Sequence, residues 1–306
     1  MSIMKLPVYI AGMEQITCQE PLSDSWMTSP RPATGEMVLS DDPDFRQWLS
    51  AADSRRMGKV LKRAVITTSN AMRSAGIDEP DAVIAATGFG CWKNTEDILA
   101  SMATDLAGTA KPTAFMQSTH NTIASLLAIR NKWHGYNATH SNGPLSFECA
   151  LVDAWTMLQT RQGRNILVGG FDELTPTLAA SLHNLPAKCR PLAETSVAML
   201  LTRDNTPGAP AITDIFFLPP GNERKIIDKV ILAGAELLFT PVATNFPMAM
   251  IPVVPIFGYS YTVGAVGVYA AAMMLREGTL KGSPDCVAWV NCTPAGSVAV
   301  VINANS

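Results

Sequence analysis

Apolar positions along this chain follow two rhythms. Between Arg56 and Ala75, the residues Met57, Val60, Leu61, Ala64, Val65, Thr68 and Met72 recur at helical spacing, and Gly76 ends the run. Asp81–Thr87 (DAVIAAT) is instead a short unbroken apolar block, as a strand covered on both faces reads, and Gly88-Phe89-Gly90 turns the chain after it. The same two patterns predict helices over Asn94–Leu106, Thr119–Arg130 and Leu145–Gln159, and strands over Asn165–Val168 and Ser196–Thr202. Asp204–Pro210 (DNTPGAP) reads as a linker. A shorter series follows: a strand over Ile227–Ala233, a helix over Tyr261–Leu275, and strands over Asp285–Asn291 and Ser297–Asn303 joined as an antiparallel hairpin. Strands alternating with helices predict an α/β fold with a covered, largely parallel sheet.

Composition narrows the classes of function. The 306 residues are 47% hydrophobic and 16% charged, so the chain buries much of itself. A formal net charge of -3 leaves no electrostatic footprint for nucleic acid. Six cysteines (Cys18, Cys91, Cys149, Cys189, Cys286, Cys292) are scattered without a C-x-x-C pair, which points to core thiols in a reducing cytoplasm. The start, MSIMKLPVYIAGM, is a strand-like run too short and too lightly charged for a signal peptide. No charged residue lies between Glu236 and Arg276, a length that would span a membrane, but Pro241, Pro247, Pro252 and Pro255 break its first half. Tyr261–Leu275 is therefore read as a buried helix and not a membrane span. Four separated histidines give no metal site, and Gly88-x-Gly90 lacks the rest of a dinucleotide fingerprint, so no cofactor is expected.

The richest stretch is Gly135–Leu174. An irregular Gly/Asn/Pro turn feeds a helical run, which returns through a strand to Gly169-Gly170. That layout presents a nucleophile at a helix start beneath a sheet, where the helix dipole lowers a thiol's pKa. The position holds Pro144, which has no nucleophile and no N–H and suits a first helical turn. Other residues are candidates to replace it. Cys149 lies more than one turn further on and is read as a core cysteine in a sheet-facing stripe with Leu145 and Val152. Ser146 is read as a cap or local polar contact. His140 in the turn and His120 before a helix satisfy local hydrogen bonds or pair with a nucleophile; His134 and His183 read as surface residues.

Several motifs together resemble the β-ketoacyl synthase family of the thiolase fold. Gly135-Tyr136-Asn137-Ala138-Thr139 resembles its G-P-N-x-T run, Asn165–Glu173 (NILVGGFDE) its strand and G-G-x-[DE] turn, and Tyr261–Gly267 (YTVGAVG) its G-H-T-x-G-A-x-G loop. Asn291–Ile302 resembles the closing hairpin, and Pro112–Asn121 with GFGCWKNTE resembles a divergent subgroup accompanying aryl-polyene and flexirubin-type pigment biosynthesis. The resemblance implies two pseudo-repeated βαβαβ halves in layers with buried helices, 1–204 and an abbreviated 205–306, packed as one unit. It puts the family's cysteine at Pro144, its first histidine within Leu238–Met250, where there is none, and its second at Tyr261. Cys292-Thr293-Pro294-Ala295-Gly296 stands for the G-F-G-G loop. What is implied is a non-catalytic subunit resembling a chain-length factor. It would pair with an active ketosynthase homologue, or with itself, as a dimer. It would shape a tunnel for an acyl chain delivered by acyl carrier protein. Phe115 and Met116, with His120 and Asn121, fall where the family lines tunnel and interface; plain core packing is the other reading of the first two. Two alternatives remain: an enzyme transferring acyl groups from carrier-protein thioesters through Cys149 or Ser146, and a homodimeric acyl-binding module.

Overall fold

The computed structural model describes residues 5–104 and 112–305; residues 1–4, and the 105–106 end of the helix expected from Asn94, lie outside them. In chain order the strands are β1 (Val8–Ile16), β2 (Met37–Val38), β3 (Ala82–Ala86), β4 (Tyr136–His140), β5 (Asn165–Asp172), β6 (Leu192–Ala193), β7 (Thr195–Thr202), β8 (Ala211–Leu218), β9 (Leu237–Thr240), β10 (Met250–Pro252), β11 (Cys286–Thr293) and β12 (Gly296–Asn303). The helices are α1 (Ala51–Arg56), α2 (Lys59–Ala75), α3 (Trp92–Thr104), α4 (Pro112–Met116), α5 (Thr122–Asn131), α6 (Ser146–Gln159), α7 (Pro176–Ser181), α8 (Glu223–Leu232), α9 (Val254–Phe257) and α10 (Val263–Arg276).

Ten strands form one sheet in the order β10-β9-β11-β12-β8-β1-β7-β5-β3-β4, while β2 and β6 pair apart from it. The order is a repeat. Counted outward from the centre, β1-β7-β5-β3-β4 and β8-β12-β11-β9-β10 each place their first, fifth, fourth, second and third strands in turn. Pairing directions repeat as well: antiparallel near the centre, parallel at both flanks. The halves join where β1 meets β8, through Val8↔Ile212 and Tyr9↔Ala211. This is the thiolase-like α/β fold. The sheet is mixed, which corrects the expectation of a largely parallel one. Apolar runs report burial on both faces and say nothing of strand direction.

Side-chain alternation sorts the core into three interfaces. Along β3, Ala82, Ile84 and Ala86 join the central cluster, and Val83 and Ala85 join a second one under α2 and α5. Along β11, Val287 and Trp289 face the central cluster, and Cys286, Ala288 and Val290 face a third under α8. Helices α6 and α10 lie between the two halves of the sheet, so α10 is apolar all round and buried. Its glycines permit close approach: a Cβ at Gly267 would sit 2.1 Å from the Trp289 ring. Among the described residues no helix is long and apolar enough to cross a membrane.

The second half keeps all five strands and lacks a helix. Helices α3, α4 and α5 occupy the link from β3 to β4, whereas residues 241–249 carry the chain from β9 to β10 without one. Parallel strands ordinarily need a dozen or more linking residues, usually with a helix. Here Phe246 and Met248 pack onto the cluster that contains Leu238, Ala288 and Val290, covering the face a helix would cover. One expectation fails nearby. Ile227–Ala233 is not a strand but falls largely within α8, whose buried Ile226, Ile227 and Val230 recur at helical spacing between charged residues. β8, which stitches the halves together, is not anticipated, because Thr213 and Asp214 interrupt its apolar residues and most of it is only partly covered.

Candidate functional site

Pro144 sits in a single 3-10 turn, Gly143–Leu145, leading into α6. Gly143 has φ +58, a left-handed conformation that glycine adopts without strain. The Ser146 hydroxyl donates to the Gly143 carbonyl at 2.7 Å and accepts from Asn142 N at 2.9 Å, and the residue is fully buried. It is a local polar contact, with no hydrogen left for a substrate. The core stripe of α6 is Phe147, Ala150, Leu151, Ala154 and Leu158. Cys149 and Val152 are only half-buried and lie outside it, which corrects the expected placement of Cys149. Leu145 belongs to the preceding 3-10 turn, so it does not set the phase of the α6 stripe. Burial and the nearby Glu148 raise the Cys149 thiol's pKa, the opposite of what an activated nucleophile requires.

Beneath the turn lies Glu148, which sequence reading missed. It is fully buried. Its Oε1 accepts from Trp289 Nε1 at 3.0 Å and Asn291 Nδ2 at 2.8 Å; Asn291 Nδ2 also donates to the Pro144 carbonyl at 3.2 Å. Oε2 has no partner. Desolvation raises the carboxyl's pKa against the two side-chain hydrogen bonds, and protonation at Oε2 fits this arrangement. No local signal singles it out, since α6 carries two acidic residues, Glu148 and Asp153. Gly264 faces it, and a Cβ there would sit 2.4 Å from Oε1.

Tyr261 precedes α10. Its ring stacks on Phe89 at 4.9 Å between centroids and meets Tyr259 edge-on at 6.3 Å. Burial, then Cys189 and Asp172, raise its phenol's pKa above the ordinary value of about 10, so it is a still poorer base. Asp172 anchors this corner: buried, it accepts from Gly88 N at 2.7 Å, Thr87 Oγ1 at 3.0 Å, Thr262 N at 3.0 Å and Thr262 Oγ1 at 2.9 Å. It thereby ties the turn after β3 to the start of α10.

One pocket of ≈ 510 Å³ unites the segments singled out from the sequence. Pro144 and Tyr261 both line it. So do Thr240, Pro241, Val242, Thr244 and Phe246 from the region expected to supply a histidine, and Cys292, Thr293 and Pro294 from the closing hairpin. Tyr259, Asn291 and Cys189 also line it, with Leu185, Pro186 and Val290, and Glu223 is the sole charged lining residue among those described. No histidine lines it. The pocket therefore presents no thiolate at the turn, no imidazole, and no N–H at residue 144.

The remaining candidates lie elsewhere. His140 Nε2 is 3.1 Å from Asp153 Oδ2, to which the Tyr136 hydroxyl also donates at 3.2 Å. His120 and Asn121 are exposed, the backbone of His120 packing close to Gly90. Phe115 and Met116 are 66% and 76% exposed on α4, which overturns core packing for both. Leu99, Met102 and Ile129 are exposed on the neighbouring α3 and α5. Their sequence pattern is apolar whether they face a core or a partner, so periodicity had no means of separating the two. Among the described residues no group of three or more His, Cys, Asp or Glu is placed to hold a metal ion.

Comparison with known proteins agrees with this geometry. The family model described as the β-ketoacyl synthase N-terminal domain matches residues 25–212. No curated protein matches the sequence. Among solved structures, a chain of AntDE:AntF, a type II polyketide synthase acyl-carrier protein in complex with its ketosynthase, superposes with TM-score 0.80 at 13% identity, covering 98% of this chain and 100% of that one. The ishigamide ketosynthase/chain length factor gives 0.78 at 14% identity, covering 99% and 100%. The ketosynthase ApeO in complex with its chain length factor ApeC from Xenorhabdus doucetiae gives 0.75 at 13%, covering 98% of each. At such identities the likeness is one of fold.

Proposed function

This chain belongs to the β-ketoacyl synthase family, and we propose that within it the chain is a non-catalytic, chain-length-factor-like subunit. In this reading it pairs with an active ketosynthase homologue in the cytoplasm and shapes the tunnel for an acyl chain carried by acyl carrier protein, in polyketide biosynthesis of the aryl-polyene type. The observation that carries the reading is the shared pocket of Pro144 and Tyr261. Carbon–carbon condensation needs a nucleophile to hold the acyl group, a group to manage the proton and carboxyl chemistry, and N–H donors for the developing oxyanion. Pro144 removes the first and one donor of the third, and the wall offers no histidine for the second. Fold likeness to ketosynthase/chain-length-factor complexes supports a heterodimer.

The surface supports it too. β4 is an edge strand of the sheet, Tyr136 on it is half exposed, and Phe115 and Met116 project from the link that leads to it. An open edge beside exposed apolar side chains favours association. Co-expression with a ketosynthase from the same gene neighbourhood is expected to give a co-purifying complex. The double variant Phe115→Asp, Met116→Asp is expected to weaken that complex by about 100-fold or more, as loss of interface anchors does, without changing the chain's own melting temperature. Failure to co-purify with any such partner would sink the reading.

Incubation of the isolated chain with acyl-carrier-protein thioesters is expected to leave its intact mass unchanged. An acyl adduct that disappears in Cys149→Ala would establish acyl transfer instead. Self-association without a partner would favour the homodimeric module.

A further inference from the structure

The pocket lacks the N–H at residue 144 and any lining cation among the described residues that would receive an anion. Pro144 has no N–H to give. Both hydrogens of the Asn291 amide are committed inward, to Glu148 Oε1 and the Pro144 carbonyl, which leaves Asn291 Oδ1 as an acceptor. The Thr240 hydroxyl spends its hydrogen on the Val242 carbonyl at 2.9 Å, and the Thr293 hydroxyl spends its own on Gly296 O at 3.1 Å. Glu223, the first residue of α8, adds a carboxylate at the wall, and no described lining residue is Lys, Arg or His. Acceptors and a negative charge dominate this largely apolar wall, whose neutral donors include the phenols of Tyr259 and Tyr261; without a cation it disfavours carboxylates, phosphates and oxyanions relative to uncharged ligands.

We propose that this pocket is a binding site for an uncharged, largely apolar small molecule that carries a hydroxyl or amide N–H, received by Asn291 Oδ1. The proposal deepens the preceding reading, since it takes the pocket as non-catalytic. It is tested on the isolated chain, so its failure is separable from failure to pair with a ketosynthase.

The test uses the neutral fluorophore N-phenyl-1-naphthylamine and competing C10 ligands at pH 7.5. The probe is expected to bind and to be displaced by 1-decanol and decanamide at concentrations about tenfold or more below those needed for decanoate, because a buried anion without a cation is costly. Decyl methyl ether, which has no hydrogen to donate, is expected to compete about fivefold worse than decanol. Glu223→Gln narrows the decanol–decanoate gap. Val242→Trp, a half-buried loop position on the wall, fills the pocket and abolishes probe binding with an unchanged melting temperature. Several results overturn the proposal: no probe binding, decanoate competing as well as decanol, the ether matching the alcohol, or full probe binding in Val242→Trp.

Discussion

Trp289→Ala is expected to lower unfolding stability by about 4 kcal/mol, the range for emptying a fully buried aromatic site. Typical domains have only about 5–15 kcal/mol in total, so the variant is expected to be partly unfolded at ambient temperature. Trp289 has no exposed surface and faces inward from β11 onto α10. Gly267 is bare so that the indole can lie against the helix, and the ring nitrogen donates to Glu148. Alanine leaves a cavity that the packed layers cannot close, and strips a donor from a buried carboxyl. Trp289→Phe keeps one six-membered ring and removes the donor with the pyrrole part of the indole, at a smaller cost of about 1–3 kcal/mol. Urea denaturation reads both. A loss under about 1 kcal/mol for alanine would mean that α10 does not rest on this side chain as described.

Glu173→Gln is expected to flatten the pH dependence of stability between about pH 5 and 7. Glu173 is nearly buried and accepts from Lys93 N at the start of α3 at 2.8 Å. Burial pushes its carboxyl up to about 7 from an ordinary 4.5, with Glu194 and Glu96 adding to the rise, while the Lys93 N–H and Arg63 oppose it. The folded pKa is raised, so the folded state holds its proton longer than the unfolded one. Stability from this group is complete below pH 4.5 and is lost as pH climbs through 7. The shift corresponds to about 3 kcal/mol at alkaline pH. Glutamine keeps the acceptor for Lys93 N and cannot ionise, so the variant is expected to gain most of that amount at pH 8 and little at pH 4.5. Parallel stability–pH curves for the two proteins would show that the carboxyl is not buried in this way.

The strand blocks at Asp81–Thr87 and Ser196–Thr202 and the buried helix before Leu275 were readable because continuous apolar runs and helical spacing survive whatever the neighbours are. Ile227–Ala233 was not: a short apolar run fits strand and helix alike, and only the packing of α8 on β8 and β12 decides. β8 was invisible because Thr213 and Asp214 break its apolar residues into short pieces. At the site, Pro144 and Tyr261 were legible by position within motifs. Glu148 was not, since an acidic residue in a helix is ordinarily solvated and nothing local says that Trp289 and Asn291 wait beneath it.

By itself, the sequence determined which segments are apolar, where glycines and prolines interrupt them, and that no cysteine stands at residue 144. Those are local properties, set by side-chain chemistry within a few residues. Tertiary structure decided what distance along the chain conceals. It fixed the mixed sheet with its repeated strand order. It brought residue 144, the 240–246 segment, Tyr261 and the closing hairpin to one pocket, and it committed the Asn291 hydrogens inward. These depend on long-range packing: the partners of Asn291, Glu148 and Pro144, lie 143 and 147 residues away along the chain.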